Sequence, residues 1–425
     1  MLSASKAGLA AVREGKATMR PTKVTVSVTI AAALAMTVTA CGSTGSTGSP
    51  ATTGSSSSSA SGSTSGTWRI GVEAPLTGDQ ATLGQGMLQG AQLAADQVNS
   101  KGGVLGRRIE IITIDDAADP ATGVKAATTA IAGGLNGVVG PYNSAVGVQT
   151  LPLYLRAGIV PIRLTSDNST DGLGFTLQPM TNQIAPVTST AITKFFGAQS
   201  VGIIYDSTQN YTKSTSSAVK GQLEAAGVKV TSFDPITPGQ SSYADVLAKV
   251  NAKNPDVIYS AVYYPEGAKI AQEITPSSGT ASTPGGSRCL LDYASYDSGY
   301  ITAAGATAAA NCAVVGVPAP SDFPASAGRV AQFRQSFHQP PGTWAPYTFD
   351  SLNFLLDGAQ QSGGFDAKAL TTELGKVTGW NGWTGAVTID AKTGNRTPAT
   401  VVVTAVKDGQ LRVDAAWAKA VGAPY

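Results

Sequence analysis

From Trp68 onward the chain alternates short β-branched runs with amphipathic helical stretches, and no other feature limits its fold so tightly. Residues 69–73 read as a strand and 84–99 as a helix with Met87, Ala91, Ala94 and Val98 on one face, closed by Gly102-Gly103. A strand over 109–114 leads to Asp119-Pro120, an N-cap followed by proline at the first helical position, which opens a helix over 121–132. A strand over 137–140, a helix over 144–156 and a strand over 160–163 complete a first series. A second series runs helix 186–196, strand 201–205, helix 212–226, strand 228–233, helix 241–253, strand 256–260, helix 265–274 and strand 288–292. The tail departs from this rhythm, with helices expected over 346–362 and 366–377 and a hairpin of 400–406 and 411–414 around Asp408-Gly409. Such alternation builds parallel sheets covered by helices on both faces. Two series predict an α/β protein of two doubly wound, Rossmann-like lobes, with ligand loops beyond the carboxyl ends of the strands and a site in the cleft between them.

The N-terminus has another character. Lys6, Arg13, Lys16, Arg20 and Lys23 stand against the single acid Glu14, and 24–38 is uncharged. That stretch is short for a membrane span of about 20 residues and fits the apolar core of a secretory signal. Met19-Arg20-Pro21-Thr22-Lys23 is itself a sufficient basic region, so Met19 is an alternative start. Val38-Thr39-Ala40-Cys41 resembles the lipobox of bacterial lipoproteins, which makes 1–40 the signal peptide and Cys41 the lipidated residue. An ordinary signal with an incidental cysteine is the alternative. From 42 to 67 every residue is Gly, Ser, Thr, Ala or Pro. Such a stretch cannot bury enough apolar surface to fold, and as a coil it spans roughly 28 Å. Residues 41–67 are therefore expected to be a lipidated leash for an exported domain, anchored to the outer face of the cytoplasmic membrane. Outside the cell Cys289 and Cys312 can close a disulfide; two buried free thiols are the alternative.

Composition removes whole classes of function. The net charge is only +2, with no basic stripe, which argues against nucleic acid. His338 is the only histidine and Cys the rarest residue after it, with 3 copies, so histidine-based acid–base chemistry and a zinc framework are both disfavoured. No GxSxG, Walker, HExxH or CxxC motif occurs. Gly84-Gln85-Gly86 with Gly90 opens a helix but has the spacing GxGxxxG, and no acid follows a second strand where a dinucleotide site needs one. Asp115-Asp116 and Asp119 read as a strand-end loop with a helix cap rather than a metal site. No cofactor, metal or catalytic residue is expected. His338 falls in a proline-rich loop and is expected to be exposed.

Two loops remain. Gly140-Pro141-Tyr142-Asn143-Ser144 joins a strand to a helix start, where free N–H groups favour a carboxylate. Thr165-Ser166-Asp167-Asn168 follows the next strand, and its hydroxyls and carboxylate can accept the protons of an ammonium group. Helix capping and turn chemistry explain both loops equally well.

The same residues carry a likeness. Ile70-Gly71-Val72, Pro75-Leu76-Thr77-Gly78, Gly84-Gln85-Gly86, Gly90-Ala91, Asn99 and Lys101-Gly102-Gly103-Val104 resemble the opening of type I periplasmic binding proteins, in particular the Leu/Ile/Val-binding branch. Asp115-Asp116, Val139-Gly140, Ala226-Gly227-Val228, Tyr263-Tyr264-Pro265-Glu266 and Val406-Lys407-Asp408-Gly409 continue it, over about 68–415. The resemblance implies two lobes joined by three crossings: 68–181 plus 317–397, and 182–316 plus 398–425. It implies a monomeric solute-binding protein that delivers an amino acid to an ABC permease and its ATPase subunits. It places Asn143 and Ser144, beside Tyr142, at the ligand carboxylate, and Thr165, Ser166 and Asp167 at its amino group and carboxylate. Tyr211, Tyr263 and either Asp292 or Tyr293 would close from the second lobe. Leu83 stands where the family often has a cleft-lining tyrosine, and Arg163-Leu164-Thr165 replaces a Ser-Pro-Ser type of segment. These departures keep a second ligand class open: short amides, urea or aromatic acids, with Arg163 suited to a second carboxylate if it reaches the cleft. A sensor that signals to a membrane receptor, and an exported enzyme, are the remaining rivals.

Overall fold

A computed structural model describes residues 66–274, 289–324 and 326–423. The signal peptide, Cys41 and the leash as far as Ser65 lie outside the described residues. The first series runs β1 (Thr67–Ala74), α1 (Ala81–Ser100), β2 (Arg108–Asp115), α2 (Pro120–Ala132), β3 (Gly137–Val139), α3 (Ser144–Arg156), β4 (Val160–Arg163) and β5 (Phe175–Thr176). The second runs α4 (Thr181–Thr190), β6 (Ser200–Asp206), α5 (Asn210–Ala225), β7 (Lys229–Ile236), α6 (Ala244–Asn251), β8 (Val257–Ala261), α7 (Glu266–Glu273), β9 (Cys289–Leu291), α8 (Tyr300–Ala304), α9 (Ala306–Ala309) and β10 (Cys312–Gly316). The tail holds α10 (Ser326–Phe337), α11 (Ala345–Ser362), α12 (Ala367–Gly375), β11 (Trp380–Gly382), β12 (Gly385–Val387), β13 (Ile389–Asp390), β14 (Asn395–Arg396), β15 (Val402–Lys407), β16 (Gln410–Val413) and α13 (Ala415–Val421).

The strands form two large sheets of matching order. One reads β13-β14-β5-β4-β3-β1-β2 and the other β16-β15-β10-β9-β8-β6-β7, parallel except at the β13 and β15–β16 edges. This is the doubly wound α/β pair expected from the alternation. The chain passes between the sheets after β5, after β10 and after β14. Arg396, at the third passage, donates to Thr384 O and Ala386 O at 2.8 Å each, while Gln183 of α4 donates to its carbonyl at 3.1 Å. The first and third passages are thereby tied together.

Central strands are buried on both faces, so β8 and β10 are buried at every residue instead of alternating. The two glycines that tempt a nucleotide reading have a packing role. A Cβ on Gly84 would stand 2.1 Å from Pro75 O, and one on Gly90 would stand 2.2 Å from Ala345 O. Helix α1 thus lies against the loop after β1 and the start of α11 with no room for a side chain. Asp119 caps α2 through Thr122 N at 2.8 Å, and Asp115 accepts from Leu76 N, Thr77 N and Ala117 N. No group of potential metal ligands occurs among the described residues, nor does any described helix have the length and apolarity to cross a membrane.

Cys289 and Cys312 face each other on neighbouring strands and are joined by a disulfide. The structure differs from the sequence reading in places. Helix α4 starts at Thr181, five residues before the expected position, because the Gln183 side chain accepts from Met180 N and Pro186 is tolerated inside the helix. Strand β10 and helix α10 went unread, and His338 follows α10 directly, exposed and with positive φ.

Candidate functional site

Apart from Trp344, which precedes α11, the side chains of the site come from loops that leave the carboxyl ends of parallel strands. After β3, Gly140 takes φ 104°, and a Cβ there would lie 2.0 Å from Glu73 O, so only glycine turns the chain here. The turn delivers Tyr142, Asn143 and Ser144 to the start of α3. Asn143 occupies the cap position without capping: its amide nitrogen donates to Gln80 Oε1 at 3.1 Å, and its buried Oδ1 has no partner. Ser144 Oγ accepts from Asp167 N at 3.2 Å, which links this loop to the one after β4.

In that second loop the three expected residues have different duties. Thr165 Oγ1 lies 2.8 Å from Thr170 Oγ1 and serves the loop itself. Ser166 Oγ donates to Gln178 Oε1 at 3.2 Å. Asp167 Oδ1 accepts from Ser169 N at 2.8 Å, whereas its Oδ2 is buried and unpartnered. One carboxylate thus caps the turn through one oxygen and leaves the other without a partner. Arg163 is turned into the sheet, donating to Asn395 Oδ1 at 2.5 Å, 4.0 Å from Asp171. Burial lowers its pKa to about 10. The guanidinium is thus paired locally, on β14 and beside Asp171, and the condition for its meeting a second carboxylate is not met.

The other sheet supplies Tyr211 at the start of α5, Tyr263 after β8, and Asp292 and Tyr293 after β9. Asp292 accepts from the Tyr259 hydroxyl at 2.6 Å and from Ala294 N at 3.2 Å. Burial raises its pKa, and those hydrogen bonds oppose the rise. Tyr293 OH donates to Gln178 Oε1 at 3.4 Å, bridging this sheet to the first passage of the chain. Tyr293 lines the small space between the sheets, whereas Asp292 lies behind that lining against Tyr259.

Five aromatic side chains close into a ring. Tyr142 meets Tyr263 at 6.1 Å, Tyr263 meets Tyr211 at 6.2 Å, and Tyr211 meets Tyr293 at 6.4 Å. Tyr293 then meets Trp344 at 5.4 Å, and Trp344 returns to Tyr142 at 5.3 Å. Leu164, Ser166 and Ala294 complete the lining with the tyrosines. The space left among them is about 10 Å³, room for a single water. Burial raises the pKa of every one of these tyrosines, so all are neutral donors. Four residues in the ring or next to its lining in sequence or by hydrogen bond carry a buried polar atom without a partner: Asp167 Oδ2, Asn143 Oδ1, Tyr211 Oη and Gln178 Nε2. Leu83 is buried in α1 and is not part of this lining.

Sequence reasoning missed Trp344 and Gln178. Trp344 carried a signal, a lone tryptophan after Pro340-Pro341-Gly342-Thr343 at the mouth of an apolar helix. Gln178 carried none, because its importance comes from the passage between sheets.

A family model described as "Periplasmic binding protein" matches residues 67–410. The Leu/Ile/Val-binding protein BraC3 of Rhizobium johnstonii is 32% identical over 222 residues, which is 51% of this chain and 60% of that protein. The leucine-binding protein LivK of Thermotoga maritima superposes with a TM-score of 0.74 at 22% identity, covering 82% of this chain and 98% of that one. A solute-binding protein of R. palustris in complex with 4-hydroxybenzoate superposes with a TM-score of 0.72 at 16% identity, covering 82% and 96%.

Proposed function

The chain belongs to the periplasmic binding protein family, and we propose that it captures an α-amino acid of the branched-chain type between two closing lobes and presents it to an ABC permease. The family comprises solute-binding proteins rather than enzymes, working outside the cytoplasmic membrane. In this reading the lobes are 68–181 plus 317–397 and 182–316 plus 398–425, and the protein is a monomer held to the membrane by lipidated Cys41.

One observation carries the ligand class: the four unpartnered buried atoms beside the aromatic ring. An isolated buried polar atom costs roughly 1–3 kcal/mol, so their clustering calls for a partner that satisfies them together. Asp167 Oδ2 and Asn143 Oδ1 accept, which suits an ammonium group. Tyr211 Oη and Gln178 Nε2 donate, which suits a carboxylate. The tyrosine and tryptophan faces take the apolar side chain. Asn143, Ser144, Ser166 and Asp167 hold the ligand from one lobe, with Thr165 bracing their loop; Tyr211, Tyr263 and Tyr293 hold it from the other. Contact with both is what drives closure, since a ligand gripping one lobe alone shifts nothing. A space of about 10 Å³ cannot admit an amino acid, so the rings must part for entry.

A second reading keeps the fold and changes the ligand. The space is tight and walled mainly by tyrosines, which favours a short amide, urea or a flat aromatic acid. A role as a ligand sensor is compatible with either ligand. Thermal unfolding against amino acids, amides and aromatic acids separates the readings. A ligand at a thousand times its dissociation constant adds about 4.1 kcal/mol. Stabilisation by leucine, isoleucine or valine supports the first reading, and stabilisation by amides or aromatic acids alone supports the second.

A further inference from the structure

A second, larger cavity of about 300 Å³ lies on the other side of Tyr296, where the β15–β16 turn and the loop after β9 face the connection between α10 and α11. The Tyr296 ring meets Trp344 at 6.3 Å, so this cavity is backed by the aromatic wall of the cleft without opening into it. Its sides are apolar, with Ile301, Val330 and Leu411 among them. Its floor holds Asp297, 1% exposed. One oxygen of that carboxylate accepts from Gly299 N at 2.7 Å; the other is buried and has no partner. At the rim stand two arginines. Arg412 is engaged by Asp322 and Ser321. Arg334, exposed in the last turn of α10, has no side-chain partner among the described residues.

We propose that this cavity is a second small-molecule site, for a zwitterion whose ammonium group pairs with Asp297 at the floor, whose apolar body fills the middle and whose carboxylate meets Arg334 at the rim. A buried carboxylate with one unpaired oxygen is costly unless a donor reaches it. Burial raises the Asp297 pKa to about 6, which still leaves it ionised at neutral pH, with an unmatched charge. The volume takes a molecule of amino-acid size or slightly longer. Its walls come from segments on both sides of the second chain passage, so an occupant bridges parts that must move when the main cleft opens. Occupancy would therefore be coupled to ligand binding in the cleft, and the coupling is reciprocal. This site shares no lining residue with the cleft, and the proposal does not rest on which ligand the cleft takes.

The test uses 6-aminohexanoate as the probe, with hexylamine and hexanoate as its half-molecules, by titration calorimetry at pH 7.5. The zwitterion is expected to bind more tightly than either half-molecule. Asp297→Asn and Arg334→Gln should each weaken it at least tenfold, whereas Asp167→Asn, which disables the main cleft, should leave it within twofold. Arg334 is exposed, so its variant remains informative if Asp297→Asn fails to fold. Absence of binding at 10 mM probe would overturn the proposal. So would binding that survives Arg334→Gln but disappears with Asp167→Asn, because the probe would then be sitting in the cleft.

Discussion

Replacing Asp116 by asparagine should stabilise the protein at alkaline pH and leave it little changed in acid. Asp116 is fully buried at the end of β2. Its Oδ1 accepts from Ala118 N at 2.8 Å, and its Oδ2 has no partner. The ionisable groups around it are all acidic: Asp115 and Asp119 on its own loop, and Glu73 and Tyr154 from β1 and α3. Burial raises its pKa from 3.8 to about 7, and Asp115 and Asp119 add to the rise. The folded state thus holds a proton that the unfolded chain releases near pH 4. Between these values the folded state binds more protons, so stability is full below pH 4 and falls as pH rises through 7. A shift of about three units corresponds to roughly 4 kcal/mol in total, of which about 2–3 kcal/mol is lost between pH 5 and pH 8. Asparagine keeps the acceptor for Ala118 N–H and removes the charge. Urea unfolding of both proteins at pH 5, 6, 7 and 8 measures the effect. The wild type should lose about 2–3 kcal/mol more than Asp116→Asn across that range. Parallel pH profiles would refute the assignment of a buried, protonated carboxyl.

Two further outcomes follow from packing and covalent constraint. Gly90→Ala places a Cβ 2.2 Å from Ala345 O, so despite a helix-propensity gain of about 1 kcal/mol it should destabilise by about 2 kcal/mol net in chemical denaturation; a stabilised variant would mean that α1 and α11 are not in backbone contact. Cys289→Ser with Cys312→Ser opens a link across a sequence separation of 23 and should cost roughly 3 kcal/mol, read as a lower urea midpoint that dithiothreitol reproduces in the wild type.

The fold was legible because it is written in periodicity. Strand β4 and helix α3 fall where the sequence placed them, since Val160–Arg163 is bounded by turn residues and Ser144–Arg156 carries a helical stripe. Strand β10 was not legible. Cys312–Gly316 is five residues of uniform apolarity with no flanking period, and only its pairing with β9 and β15 makes it a strand. Strand β13, at the sheet edge, and its neighbour β14 have two residues each and leave no pattern at all. In the site, the tyrosines and the Asn143–Asp167 loops could be found because they follow strand ends in the order of a known family. Trp344 reaches the ring from the cap of α11, about two hundred residues after Tyr142, through a chain passage that local sequence does not encode. Arg163 shows the converse. Its place next to a binding loop left a role in the cleft open beside local pairing, and only the buried Asn395 contact identifies the local partner.

The central claim is that an amino acid ammonium group is held by Asp167 inside the aromatic ring. Titration calorimetry of isoleucine into the wild type and Asp167→Asn tests it most directly. The account predicts saturable binding by the wild type, weakened at least a hundredfold in the variant, whose fold is checked by its unchanged unfolding midpoint without ligand. Isoleucine binding that is equal in both proteins would contradict it.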